Sequence, residues 1–359
     1  MPLRTLIRIL ILSAVFLTIG FYININDNNE NNGLIKNNNT LEMKQSLPQN
    51  PDIKPSEKIS SEKPKEGLAL LIGKNVSVLE KEMGLPVRID ESLYGYQWYI
   101  YNQNYKSYLQ VGVENKRVVT IYAIGGNLDV APFEIGQPVE EIFNSQFIDT
   151  NINLEYKGSS YRFELTDTDL NLRPMVQLGD IYVQLYIDKF TGNLSSVRFL
   201  NAETLIKQRP YELVYSGALI EATAPSEDFW KEVEAGTQQE IFDLTNVIRV
   251  RNKLEPLLWD EDTAKAAFEH SKDMSDSNDF SHISKKFGDL AERLKTAKVV
   301  YQAAGENIAA NYTDGPAVVE GWLNSKSHRE ALLNEDFSHL GVGVYQKYYT
   351  QNFIQKIEQ

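Results

Sequence analysis

The pattern of apolar and polar positions divides the chain into blocks. Residues 9–25, "ILILSAVFLTIGFYINI", are uncharged and mostly apolar, with Arg4 and Arg8 ahead of them. That length is near the lower limit of the roughly 17–25 residues that span a bilayer. Basic residues stay on the cytoplasmic side, so residues 1–25 predict an N-terminal membrane helix with everything after it outside the cytoplasm. A cleaved signal would carry small residues before the cut, and Thr18-Ile19-Gly20 matches that pattern poorly. An uncleaved anchor is therefore the expectation, with secretion after cleavage as the alternative. The next stretch, residues 26–66, is first Asn-rich ("NDNNENNGLIKNNNT") and then rich in Pro, Lys, Glu and Ser. It holds too few apolar residues to offset chain entropy and reads as a disordered tether.

From 67 to 200 the period changes to two. "YGYQWYIYN", "YLQVGVENKRVVTIYAIG", "IYVQLYID" and "NLSSVRFL" read as strands rich in Tyr, Val and Ile. "IGKNVSVLEKEMGLPVRID" from Ile72 and "IGQPVEEIFNSQFIDTN" from Ile135 each begin with Ile-Gly and continue into a short amphipathic helix. Two degenerate copies of a helix-plus-hairpin unit predict a β-rich α+β domain, its antiparallel sheet covered by helices. Tyr residues on such strands are core or cross-strand partners more often than a binding face.

Residues 201–236 read as a connector, with Ser226 capping a short helix that carries Phe229, Trp230 and Val233. A second domain, 237–359, is expected to start at a capping box formed by Thr237 and Glu240, with Ile241, Leu244 and Ile248 at helical spacing behind it. Pro256 ends that helix. "LLWDEDTAKAAFEHSKDMSDS", "DGPAVVEGWLN" and "SKSHREALLN" are further helices, the second capped by Asp314 with Pro316 in its first turn. In the last of them Ser327 and Glu330 match another capping box. "HLGVGVYQKYYTQNFIQK" alternates like a hairpin, so helices surround a small sheet, again α+β.

Charge and composition narrow the chemistry. A net charge of −13 and a pI of about 5.0 argue against nucleic acid as a partner. Cysteine is absent, which leaves any metal to His, Asp and Glu. The four His all fall between His270 and His339. No Gly-x-Ser-x-Gly elbow appears, so a Ser-His-Asp hydrolase fits poorly. His282, Glu306 and His328 are ligand-type residues for zinc, but their spacing matches no local metal motif, so they make a site only if the fold gathers them.

"NVIRVRNKLEPLLWDEDTAKAAFEHSKDMSDSNDFSH", "GENIA", "WLNSKSHREALLN" and "FSHLGVGV" resemble, in order over about 237–355, the motifs of the CAP superfamily of cysteine-rich secretory, antigen 5 and pathogenesis-related proteins, in its bacterial form. "MGLPVRID" and "YGYQWYIYN" resemble the CAP-associated N-terminal domain of Gram-positive bacterial proteins. The resemblance implies an α-β-α sandwich with a cleft lined by His282, Glu306 and His328, with Asn307 and Ser325 beside them. It implies that this cleft holds a divalent cation, Zn2+ in some members. It also implies a second Glu where this chain has Ser325.

Two functions are consistent with those residues. One is a membrane-tethered, extracytoplasmic binding or scaffold module whose partner is a cell-wall component, a lipid or an envelope protein. The other is a metal-assisted, peptidase-like hydrolase with Glu306 as general base. A third possibility leaves recognition to the Tyr-rich domain. Glu330 is expected as a cap, Trp322 as core, and His270 and His339 as structural or exposed.

Overall fold

A computed structural model describes residues 62–357, so the expected membrane segment and most of the tether lie outside the described residues. Among the described residues no helix is long and apolar enough to cross a membrane. The first domain opens with a short 3-10 turn (Leu68–Leu71) and α1 (Val76–Met83). It continues through β1 (Arg88–Glu91), β2 (Gln97–Tyr101), β3 (Leu109–Glu114), β4 (Arg117–Ala123) and α2 (Val139–Ser145). Then come β5 (Asn151–Tyr156), β6 (Ser159–Glu164), α3 (Asp167–Leu172), β7 (Met175–Leu178), β8 (Ile181–Asp188), β9 (Asn193–Leu200), α4 (Ala202–Gln208) and β10 (Glu212–Ser216).

Seven antiparallel strands form one sheet in the order β1-β2-β3-β4-β9-β8-β7, and β10-β6-β5 form a second. Both Ile-Gly starts use the same backbone device. Gly73 N–H donates to Val118 O and Gly136 N–H to Leu194 O, each at 2.8 Å, and both glycines take positive φ. Strand alternation gives the large sheet two apolar faces. Val111, Ile121, Val183 and Phe199 pack beneath α1 and α2, whereas Trp98, Ile100, Tyr122 and Tyr186 lie in another cluster. That other cluster includes Ile241, Leu244, Val318 and Trp322, so the Tyr-rich strands are core shared with the second domain.

The connector divides between its neighbours, because α4 and β10 complete the first domain. α5 (Glu227–Arg251) then runs without a break through the expected start at Thr237. Ser226 is its cap, accepting from Phe229 N–H at 3.2 Å, and both Thr237 and Glu240 are buried inside the helix. Gly236 invites reading as a helix stop, but it is a close approach: a Cβ there would stand 2.7 Å from Asp90 Cβ. The helix keeps its register because the absent side chain makes room for β1.

After α5 come β11 (Leu258–Trp259), α6 (Glu261–Ser277), α7 (Leu290–Thr296), β12 (Ala303–Ala310), α8 (Gly315–Leu323), α9 (Lys326–Leu332), β13 (His339–Tyr345) and β14 (Tyr348–Gln355). The sheet order is β11-β13-β14-β12. The "GVGV" run explains the sandwich. Leu340, Val342 and Val344 face the core that α5 builds, while Gly341 and Gly343 face α6. A Cβ on either glycine would fall about 2 Å from backbone nitrogen, at 2.1 Å from Ala264 N and 2.0 Å from Phe268 N. Only glycine lets α6 lie this close. Asp314 caps α8 with Pro316 in its first turn, as expected. α9 departs from expectation: Ser325, not Ser327, is at its cap position, and neither Ser327 nor Glu330 makes a capping bond.

Candidate functional site

Neighbouring residues on a strand point to opposite faces, and β12 uses this to separate Glu306 from Asn307. Asn307 is fully buried and donates to His328 O at 3.1 Å and to Gln351 Oε1 at 3.2 Å. It holds the backbone of α9 in place. Glu306 turns towards α6, α7 and the loop between them. His282 Nδ1 stands 2.9 Å from Glu306 Oε1, and the Arg293 guanidinium donates to Glu306 Oε2. The Glu306 side chain is only 4% exposed, whereas the His282 ring is 55% exposed. A buried carboxylate thus fixes an imidazole that solvent can reach.

Two residues of this cluster were not expected. His270, from α6, is completely buried and places Nε2 3.8 Å from Glu306 Oε1, beyond hydrogen-bond reach. Its position on the apolar-periodic face of α6 reads as core, and no local pattern links it to Glu306. Arg293, from α7, follows a capping box in which Asp289 and Glu292 satisfy each other's backbone donors. That box is the only sequence signal that a helix begins there. Besides Glu306, Arg293 donates to His282 O and Gly288 O, each at 2.9 Å, and so fastens the His282 loop to β12.

His328 makes no side-chain hydrogen bond to the others, and is tied to β12 through its backbone O, which accepts from Asn307 Nδ2 at 3.1 Å. Ser325 sits half-buried at the cap position of α9. Trp322 is core, its Nε1 donating to Ile308 O at 3.1 Å. His339 lies at the start of β13 with Nδ1 2.9 Å from Ser338 Oγ and joins none of these contacts.

Burial alone would raise the Glu306 carboxyl. The His282 bond and the neighbouring positive charges outweigh burial and hold it below the ordinary value. Burial pushes His270 and His328 down to about 4. Both rings are therefore neutral in the folded state at pH 7, while an unfolded imidazole titrates near 6.5. Between those limits the unfolded chain binds more protons, so stability rises with pH and is lost as pH falls from about 6.5 towards 4. The expected loss is about 1.4 kcal/mol per pH unit for each ring at its steepest. Urea titrations at several pH values measure it, and His328→Asn should remove about half of the slope. A flat profile through that window would contradict the assignment.

The donor set does not fit a resident metal ion. One oxygen of Glu306 is engaged by a guanidinium and the other by His282. Among the described residues no group of three or more His, Cys, Asp or Glu is arranged to hold a metal.

Comparison with known proteins places both halves. Residues 72–211 match the CAP-associated N-terminal family and residues 242–357 the cysteine-rich secretory protein family. The chain is 53% identical over 293 residues to the membrane protein YlbC of Bacillus subtilis (strain 168), covering 82% of this chain and 85% of YlbC. A crystal structure of an extracellular protein containing a SCP domain from Bacillus anthracis (strain Ames) is similar at TM-score 0.78 and 46% identity. That match covers 85% of this chain and all (100%) of the other. A cysteine-rich secretory protein from Staphylococcus aureus Mu50 is similar at TM-score 0.72 and 30% identity, covering 83% and 98%. With its ordered motifs, its glycine-relieved sandwich and these likenesses over four fifths of its length, the chain belongs to the cysteine-rich secretory protein (CAP) family, in the bacterial form that carries a CAP-associated N-terminal domain.

Proposed function

We propose that this protein is an extracytoplasmic binding or scaffold module of the bacterial envelope, tethered through residues 1–66, with recognition at the cleft of His282, Glu306 and His328. One observation carries this reading. His282 is exposed, yet a buried, charge-balanced carboxylate holds one of its nitrogens and Arg293 holds its backbone. An imidazole fixed in advance gives up little freedom on binding, which is what a recognition group needs. The membrane and extracellular descriptions of the relatives support the location. A two-copy origin of the N-terminal domain is part of the same proposal, supported by the matching bonds of Gly73 and Gly136.

The hydrolase alternative asks Glu306 to act as a general base. Efficient bases have pKa values near the working pH, and this carboxyl is ion-paired and held lower. Zinc is no part of the proposal, because both carboxylate oxygens of Glu306 already have partners. Calorimetric titration with zinc should give the same heats for wild type and for the His282→Ala/His328→Ala variant. Tighter zinc binding by wild type would restore the cation. The binding claim is tested by co-sedimentation with purified cell-wall fragments, with lipid vesicles as the second arm. His282→Ala should lower retention on one of these at least about tenfold, measured at a temperature where the variant remains folded. Equal retention of variant and wild type on both materials would remove the cleft from the recognition surface.

A further inference from the structure

Behind His270 lies a cavity of about 210 Å3 that the cleft reading does not use. Its inner wall is the α6 face bearing His270, Asp273 and Met274, and the outer wall is the loop bearing Asp279, Ile283, Lys285 and Lys286. The volume is below the several hundred Å3 of sites for drug-sized molecules, but far above what a single water needs. An amino acid is of the right size.

The polar groups around it are not equally available. Lys285 and Asp279 neutralise each other at 2.7 Å. The serines of the loop are occupied in shaping it. Ser281 Oγ accepts from Ile283 N–H, and Ser284 Oγ from Lys286 and Phe287 N–H. Three groups are left over. Asp273 has no ion-pair partner among the described residues. Lys286 Nζ lies 4.5 Å over the Phe287 ring and pairs with no carboxylate among the described residues. His270 is fully buried, and neither ring nitrogen has a hydrogen-bond partner. A buried polar group without a partner costs free energy, and such a group marks a place that a polar molecule completes.

One unused anion, one unused cation and one unused imidazole are the complement of a zwitterion. We propose that this cavity binds a small zwitterion of amino-acid size, its ammonium at Asp273, its carboxylate at Lys286, and a hydrogen bond to His270. Met274 and Ile283 supply apolar contact for a short side chain. A wall that carries as many carboxylates as ammonium groups disfavours a ligand with a single charge, which would leave one partner unmatched. The inference does not depend on the cleft proposal. The cleft can fail to retain wall fragments while this cavity still titrates, and the reverse also holds.

Calorimetric titration of the full chain in detergent with alanine, and with the longer alanyl-alanine, tests it. Propionate and ethylamine serve as controls that each keep one charge of alanine. Saturable binding of either zwitterion is expected, with both controls at least about tenfold weaker. Asp273→Asn and Lys286→Ala should each weaken it by a similar factor. Neither is a core residue, so the unfolding midpoint should not move, and these two variants are preferable to a substitution at buried His270. Absence of saturable binding by both zwitterions overturns the proposal. So does ethylamine or propionate binding as well as alanine, or affinity that ignores both substitutions.

Discussion

Arg293→Ala is expected to lower the unfolding free energy by roughly 3–5 kcal/mol, the usual cost of removing one partner of a buried ion pair. The side chains of Arg293 and Glu306 are 3% and 4% exposed, so the stranded carboxylate would have no water to replace the guanidinium. The variant also loses the bonds to His282 O and Gly288 O that close the loop onto α7. Arg293→Lys should recover only part of the loss, because an ammonium is a point charge and cannot serve three acceptors from a planar fork. Glu306→Leu in the Arg293→Leu background should recover more than Lys does, because no buried charge then lacks its partner. Denaturant unfolding of the four proteins measures the series. A change within about 0.5 kcal/mol for Arg293→Ala would show that the pair is dispensable.

That pair also marks how far the chain could be read before its fold was known. The contact of His282 with Glu306 could be anticipated because the family resemblance singles out both residues, although 24 residues separate them. "GVGV" was legible as a strand of the hairpin, and the fold shows why glycine recurs there. Arg293 was not legible, since one more cation on a short amphipathic helix looks like surface until Glu306 is brought beneath it. His270 was read as structural or exposed for a related reason: helical periodicity reports at most that a residue is buried, not what it is buried against. Thr237 and Glu240 misled in the opposite direction. Their spacing fits a capping box, but Ser226 had already started the helix, and Gly236 is paired with the approach of β1 rather than with a helix end. Local chemistry identifies groups able to cap, and tertiary contact decides whether they do.

The second large effect is expected at the joint between the domains, where Arg198→Ala should destabilise both together by roughly 3–5 kcal/mol. Arg198 belongs to β9 and its side chain is 1% exposed; Nη2 lies 2.8 Å from Oδ1 of Asp314, the residue that caps α8. Its guanidinium also stands over the rings of Tyr122 and Tyr186, at 5.6 and 5.8 Å. The surrounding contacts cross the same boundary. Tyr122, Ser195 and Ser196 donate to Glu320 Oε1, Arg251 donates to Ser195 O, and Arg329 pairs with Asp188 at 3.0 Å. With Trp98, Tyr122 and Trp322 in one apolar cluster, neither half can unfold without exposing core that the other covers. Multidomain chains commonly unfold in steps, so this joint makes a distinct claim: one transition, with calorimetric and van't Hoff enthalpies in agreement, in wild type and variant alike. A fragment beginning at residue 226 should then expose Trp322 and Ile241 and bind a hydrophobic dye. Two resolved transitions, or a variant whose N-terminal domain melts early while the other keeps its midpoint, would mean that the shared core does not couple them. A single transition would instead show that the contacts from β9 to α8 join the His282–Glu306 cluster and the N-terminal domain in one cooperative unit.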